Sequence, residues 1–122
     1  MISQLSAQDS QFLYVQGGDV LTHVMSITLY DPSTAPGGKV RFKDIVRHVS
    51  SRCHTSPVFM RKLHRLPLDL DHPYWIEDPN FDLDFHIRHI AVPPPGDDQQ
   101  LSELVARIHA RPLDRSRPLW EI

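Results

Sequence analysis

The sequence lacks the features that mark secreted, membrane-spanning or nucleic-acid-binding proteins. Its single cysteine, Cys53, excludes an internal disulfide and favours a reducing compartment. The start of the chain has neither a basic n-region nor an apolar h-region, and no run approaches the ~18 apolar residues of a membrane span. The net charge of −2 gives no electrostatic reason to bind nucleic acid. A cytoplasmic protein is therefore expected, and peripheral contact with membranes or lipid inclusions stays open.

Glycine is also scarce, with five residues, whereas proline is abundant, with 11. Because proline restricts the backbone, this composition predicts short elements joined by stiff loops. The length of 122 residues is enough for one domain with a core of its own. No internal repeat, low-complexity tract or interdomain linker is present, so residues 1–122 are treated as a single unit.

Three segments carry helical patterns. Ser6 and Asp9 have the spacing of a capping box, which predicts a helix to about Gln16 that Gly17 and Gly18 bring to an end. A second helix is predicted from apolar residues at offsets of 0, 3, 4, 7 and 11: Phe42, Ile45, Val46, Val49 and Cys53. A third is capped by Asp97 or Asp98, stopped by Pro112, and carries the stripe Leu101, Leu104, Val105 and Ile108.

Four segments favour strands, at residues 22–30, 62–66, 74–77 and 81–92. The last of these alternates apolar and polar residues through Arg88, which is typical of a strand with one buried face. Pro57 is expected to open a short helical turn between the second helix and these strands. The order of elements predicts an α/β or α+β fold in which helices pack on a mixed sheet.

Few residues carry a pattern of catalytic or metal-binding chemistry. His86 and His89 are three apart on a predicted strand, so they should face opposite sides and cannot share one ion. The acidic residues between 69 and 84 lack the spacing of a calcium loop. There is no glycine-rich phosphate loop, no Gly-x-Ser-x-Gly and no zinc signature. We therefore predict no metal site and no catalytic residue, and interpret Cys53 as a core residue.

The polar corner after Pro112 holds the candidate site, with the residues Asp114, Arg115, Pro118, Leu119 and Trp120. An Asp–Arg pair between a helix and a strand most often clamps free backbone groups. Pro118 fixes the entry to a short terminal strand, and Leu119 and Trp120 offer a large area for packing. These five residues are interpreted as a scaffold or substrate-channel motif, with direct substrate contact by Trp120 as the alternative.

Four segments in order resemble the bacterial wax ester synthase/diacylglycerol acyltransferase family: "LSAQDSQFLYVQ", "THVMSITLYD", "FDLDFHIRH" and "PLDRSRPLW". The resemblance implies the N-terminal portion of a chloramphenicol acetyltransferase-like domain. In that family a strand continues from the last segment into a His-His-x-x-x-Asp-Gly motif that holds the catalytic base. No such motif occurs in these residues. The resemblance therefore predicts a half-domain that is truncated before its catalytic strand is complete.

The resemblance implies transfer of a long-chain acyl group from acyl-CoA to diacylglycerol or to a long-chain alcohol. Acyl-CoA is then a co-substrate, no cofactor is needed, and the C-terminal part of the same protein is a required partner. The 122-residue chain is expected to be inactive alone and to self-associate through an open sheet edge and an apolar patch. Two alternatives stay open: a non-catalytic acyl- or lipid-binding module, and a related condensation-type acyltransferase.

Overall fold

A computed structural model describes residues 2–17 and 19–122 of the chain. Its helices are α1 (Ala7–Val15), α2 (Phe42–Ser50), α3 (Leu83–His86) and α4 (Asp98–His109), and its strands are β1 (Ser3–Gln4), β2 (Arg61–His64) and β3 (Tyr74–Glu77). Within the described residues, five 3-10 turns lie at Pro32–Thr34, Pro36–Gly38, Cys53–Thr55, Pro57–Phe59 and Pro67–Asp69. The protein thus mixes α and β structure, as its sequence predicts.

Local capping explains where the first and last helices begin. The Ser6 side chain accepts a hydrogen bond from the Asp9 amide at 3.1 Å, which confirms the predicted start of α1. That helix ends at Val15, close to the predicted boundary, although Gly18 lies outside the described residues. Asp97 caps α4 in a reciprocal capping box with Gln100.

The amphipathic helix predicted between Phe42 and Cys53 is confirmed as α2, with one change at its end. The helix stops at Ser50, and Cys53 follows in a 3-10 turn where it is buried. Neither α2 nor α4 contains a fully buried residue. Their apolar stripes are therefore half-buried at most, and the expected close packing of helices on a sheet is weak in the described part of the chain.

The sheet has the strand order β1-β3-β2, and both strand pairs are antiparallel. Leu63 lies opposite Trp75 on β2 and β3, and Ser3 of β1 pairs with Trp75 from the other side. The strand predicted at residues 74–77 is confirmed, and the one predicted at 62–66 lies at Arg61–His64. The prediction of a mixed sheet is wrong for the described residues, because both strand pairs of this three-stranded sheet are antiparallel.

The strand predicted at residues 22–30 does not form. Residues 21–31 belong to no helix or strand, and within residues 2–17 and 19–122 they share no backbone hydrogen bond with another segment. Val24 is 98% exposed and Leu29 is 78% exposed. A β-rich sequence still needs a partner strand to satisfy its amides, and none of the described strands supplies one here.

The prediction of a strand at residues 81–92 is also wrong. Its first half forms the short helix α3, because the Asp82 side chain accepts a hydrogen bond from the Asp84 amide at 3.1 Å and caps the turn. Local side-chain bonding of this kind competes with strand pairing and overrides an alternating pattern. The apolar residue Ile87, directly after the helix, is buried.

The buried core is small for the length of the chain. Its apolar members within the described residues are Leu5, Cys53, Leu63 and Ile87, with the buried prolines Pro73 and Pro118. The accessible surface is 9406 Å², whereas a folded monomer of 14.1 kDa exposes roughly 6,700 Å² by the usual scaling of surface with mass. The chain therefore leaves on the order of 2,700 Å² more surface uncovered than a self-contained domain of its mass.

Candidate functional site

The corner after α4 begins with a carboxylate that organises its own loop. Asp114 accepts hydrogen bonds from the Ser116 amide at 2.9 Å and from the Ser116 hydroxyl at 2.7 Å. These bonds, the hydroxyl first, hold the pKa of Asp114 below its ordinary value, and Arg117 at 3.3 Å adds a smaller electrostatic contribution. The ion-pair partner of Asp114 is thus Arg117.

Arg115 points away from this loop and ties it to the first helix. Its guanidinium donates a hydrogen bond to the carbonyl oxygen of Leu13 at 3.1 Å. Leu13 lies in the last turn of α1, where carbonyl groups have no partner within the helix. The side chain therefore caps the C-terminal end of α1 and links two parts of the chain that are 102 residues apart.

Pro118 and Leu119 form the apolar part of the corner. Pro118 is buried, and its carbonyl oxygen accepts a hydrogen bond from the Trp120 amide at 2.9 Å, which closes a tight three-residue turn. Leu119 is half-buried and lines a cavity of about 250 Å³ together with Phe12 and Leu13 of α1. The turn thus directs Leu119 and Trp120 into different surroundings.

Trp120 is the centre of an aromatic cluster. Its ring stacks on His86 with centroids 4.4 Å apart, and Phe59 meets it edge-on at 5.5 Å. Phe81 lies at 6.3 Å in a tilted arrangement. The indole nitrogen donates to the Phe59 carbonyl oxygen at 2.9 Å. Both the apolar body and the polar end of Trp120 therefore have partners within the protein.

His86 is the residue of this site that sequence reasoning missed. It is fully buried, and its Nδ1 lies 2.7 Å from the Trp120 carbonyl oxygen. It ends α3 instead of lying on a strand, while His89 stacks on Phe42 at 4.7 Å. The expected placement of the two histidines on opposite faces of one strand is therefore wrong. The signal that could have found His86 was its position inside "FDLDFHIRH", one of the four segments that carry the family resemblance.

Backbone hydrogen bonds link the residues after Trp120 to the segment that contains His86. Ile122 donates its amide to the His86 carbonyl oxygen at 2.7 Å, and its own carbonyl accepts from the Arg88 amide at 2.8 Å. Ile122 therefore bonds to His86 and to Arg88, the two residues that flank Ile87. This is the hydrogen-bond pattern of a parallel strand pair. A salt bridge of 3.0 Å between Arg88 and Glu121 reinforces it. The corner therefore ends in a parallel backbone contact centred on Ile87 and Ile122.

Cys53 lies apart from the corner and has the properties of a buried thiol. Burial raises its pKa, which lowers the fraction of reactive thiolate near neutral pH. It lines a cavity of about 360 Å³ with Met60, Arg61 and Glu77. The prediction that Cys53 is a core residue is confirmed by its burial.

No helix among the described residues is both long enough and apolar enough to cross a lipid bilayer. The same part of the chain has no group of three or more His, Cys, Asp or Glu side chains placed to hold a metal ion.

Comparisons with known proteins identify the family of the chain. Residues 5–122 match the family model described as wax ester synthase/diacylglycerol acyltransferase catalytic domain. Two candidate diacylglycerol O-acyltransferases of Mycobacterium tuberculosis are similar: one is 42% identical over 97% of this chain and 25% of its own length, and the other, named tgs3, is 36% identical over 100% of this chain and 44% of its own length.

A third relative, from Mycobacterium bovis, is named as a candidate enzyme of the same kind and is 36% identical over 99% of this chain. The chain spans less than half the length of these relatives. No solved structure matches it. Because the family model covers nearly all of its residues, the chain belongs to the wax ester synthase/diacylglycerol acyltransferase catalytic domain family.

Proposed function

We propose that this chain is the N-terminal portion of the catalytic domain of an O-acyltransferase. The complete protein transfers a long-chain acyl group from acyl-CoA to diacylglycerol, or to a long-chain alcohol, and releases CoA as the thiol. The observation that carries the proposal is the match of residues 5–122 to the family model, and the names of the mycobacterial relatives favour diacylglycerol as acceptor.

The corner from Asp114 to Trp120 is proposed to act as a scaffold and as one wall of the substrate channel. Asp114 is engaged by Ser116 and Arg117, Arg115 caps α1, and the Trp120 indole nitrogen is bonded to Phe59. A group that is already engaged in hydrogen bonds within the protein is poorly placed to take a proton from an acceptor hydroxyl. This sequence also lacks the His-His-x-x-x-Asp-Gly motif that the family resemblance implies, so the general base of the reaction is assigned to residues outside it, and no cofactor is needed.

The uncovered surface supports the proposal that these residues are part of a larger chloramphenicol acetyltransferase-like domain. The excess of on the order of 2,700 Å² over a self-contained monomer exceeds a standard protein–protein interface. Exposed apolar residues of the unpaired segment, among them Val24, Leu29 and Tyr30, contribute to it. Relatives two to four times as long have the additional polypeptide that such a surface needs.

The proposed location is the cytoplasm, with peripheral contact at membranes or lipid inclusions. Diacylglycerol and wax esters partition into lipid, so an enzyme that acts on them needs access to a lipid surface. The exposed apolar side chains could supply part of that contact or be covered by the rest of the domain. Flotation of the complete protein with diacylglycerol-containing vesicles distinguishes these two uses.

The experiment that tests the function follows thiol release from a long-chain acyl-CoA. The 122-residue chain and the complete protein are each assayed with diacylglycerol, with hexadecanol and with an acceptor bound to a carrier protein. Turnover is expected only from the complete protein and only with the lipid acceptors. Turnover by the 122-residue chain well above the blank would overturn the assignment of the base to residues outside it.

The exposed apolar surface also fits a second candidate, a non-catalytic acyl- or lipid-binding module. Calorimetric titration of the 122-residue chain with acyl-CoA separates the two. Stoichiometric binding by a monomer, with no turnover by any longer product of the same gene, would favour the module. Turnover with the carrier-bound acceptor alone would instead favour a condensation-type acyltransferase.

A further inference from the structure

We infer that His86 is a positioning residue, whose imidazole, with its proton on Nδ1, holds the Trp120 carbonyl and so directs the backbone from Trp120 to Ile122. The inference rests on the proposed function only where enzyme turnover is used as a readout. No other described histidine is as deeply buried as His86. Its place at the end of α3 puts it against the final residues of the corner.

The hydrogen bond fixes the tautomer of the ring. The Trp120 carbonyl oxygen can only accept, so Nδ1, at 2.7 Å, must be the donor. Nε2 is also buried and has no hydrogen-bond partner among the described residues. The imidazole therefore makes one directional bond to the protein, and that bond is to the backbone of the corner.

The backbone of His86 contacts the same segment, residues 120–122, as its side chain. Nδ1 binds the carbonyl of Trp120, and the His86 carbonyl accepts from the amide of Ile122, two residues further along. Arg88 then completes the parallel pair by donating to the Ile122 carbonyl. The His86 side chain thus fixes the Trp120 carbonyl, two residues before the backbone hydrogen bonds of Ile122. This contact sets which residues pair in the parallel contact.

Aromatic rings hold the imidazole in this orientation. Phe81 and Trp120 stack near-parallel to it, at 5.3 and 4.4 Å between centroids, and Phe85 meets it edge-on at 5.3 Å. A ring enclosed in this way cannot turn to offer Nε2 to the carbonyl without displacing its neighbours. The surrounding rings therefore hold Nδ1 of His86 in a fixed orientation as a hydrogen-bond donor.

Three substitutions of His86 distinguish the effect of the Nδ1 hydrogen-bond donor from the effect of the ring volume. Asparagine places an amide nitrogen near the position of Nδ1, glutamine places it near Nε2, and leucine retains bulk without a donor. We therefore expect His86→Asn to preserve the corner, and His86→Gln and His86→Leu to loosen it. His89→Asn is the matched control, because His89 is exposed and lies outside the cluster.

The first readout is the tautomer itself, measured by long-range proton–nitrogen correlation on the ¹⁵N-labelled 122-residue chain. The second is hydrogen exchange at the Arg88 amide, which binds the Ile122 carbonyl. In His86→Leu this exchange is expected to be about tenfold faster, equivalent to about 1.4 kcal/mol, and in His86→Asn to stay within about threefold of the parent. In the complete protein, kcat should fall in His86→Leu with KM unchanged, and His86→Asn should restore it.

A proton found on Nε2 instead of Nδ1 would overturn the inference. So would exchange in His86→Leu equal to the parent, or His86→Asn behaving like His86→Leu. If the leucine variant does not fold, the tautomer of the parent and the exchange of the asparagine variant still decide the question. If the unsubstituted complete protein shows no acyl transfer, the proposed function fails, whereas the tautomer and the exchange rates still test the role of His86.

Discussion

Replacement of Trp120 tests whether the aromatic cluster holds the corner in place. Truncation of a fully buried Trp to Ala costs about 3–5 kcal/mol, and Trp120 is half-buried, so we expect about 2–3 kcal/mol for Trp120→Ala. Trp120→Phe keeps an aromatic ring against His86 but removes the indole bond to the Phe59 carbonyl. The loss of one such bond predicts a cost of about 1 kcal/mol for the phenylalanine variant.

Urea unfolding followed by far-UV circular dichroism measures both costs. For a chain of this size, a slope of about 1–1.5 kcal/mol per molar urea turns the expected loss in Trp120→Ala into a midpoint lower by about 2 M. Each measurement is made at two protein concentrations, because self-association would raise the apparent stability. Far-UV dichroism is preferred to fluorescence, since Trp75 remains as the only fluorescent tryptophan in both variants.

Trp75→Phe is the matched control. Trp75 is also half-buried and lies under the Arg61 guanidinium at 4.6 Å, but no hydrogen bond of its indole nitrogen is described. Its replacement by phenylalanine should cost about 0.5 kcal/mol, less than the same change at Trp120. A cost below about 1 kcal/mol for Trp120→Ala, or equal costs for the two phenylalanine variants, would refute the reasoning.

Three further predictions concern charge and exposed surface. Lys62→Met leaves the buried Asp78 carboxylate without its partner at 3.1 Å and should cost about 3 kcal/mol in urea unfolding, while the double variant with Asp78→Asn should recover at least half of the loss. The pKa of Asp114 is lowered in the folded protein, so this carboxylate stabilises the fold above its ordinary pKa of 3.8, and the contribution disappears as pH falls through the lowered value. Asp114→Asn should therefore be less stable than the parent at pH 7, by under about 1 kcal/mol because the side chain is 41% exposed, and the difference should vanish in acid titrations. Replacement of Leu29 and Tyr30 by serine should weaken both the binding of a hydrophobic dye and self-association in sedimentation velocity, and an unchanged sedimentation profile would show that this exposed apolar segment does not mediate self-association.

Elements specified by nearby residues could be predicted from the sequence. The start of α1 needs only Ser6 and Asp9, and the amphipathic stripe of α2 requires no knowledge of the rest of the fold. The strand at Tyr74–Glu77 was also predicted at its observed bounds. In each case short-range hydrogen bonding and side-chain period point to the same structure.

Elements that depend on a distant partner could not be predicted. Residues 22–30 have a strand-like composition, but composition does not show whether another strand lies alongside. His86 was missed because its role arises from contact with Trp120, which is 34 residues away in the sequence. The alternation that suggested a strand there was outweighed by a single cap at Asp82.

The bond from Arg115 to Leu13 has a consequence for synthesis of the chain. At the usual rate of about 5–20 residues per second, the ribosome needs roughly 5–20 s to add the 102 positions that separate the two residues. During that interval the Leu13 carbonyl lacks its guanidinium donor. Likewise, Ser3 of β1 cannot pair until Trp75 has been synthesised. The end of α1 and strand β1 therefore gain these native partners only after Arg115 and Trp75 have been synthesised, so both contacts are non-local ones that form late in folding.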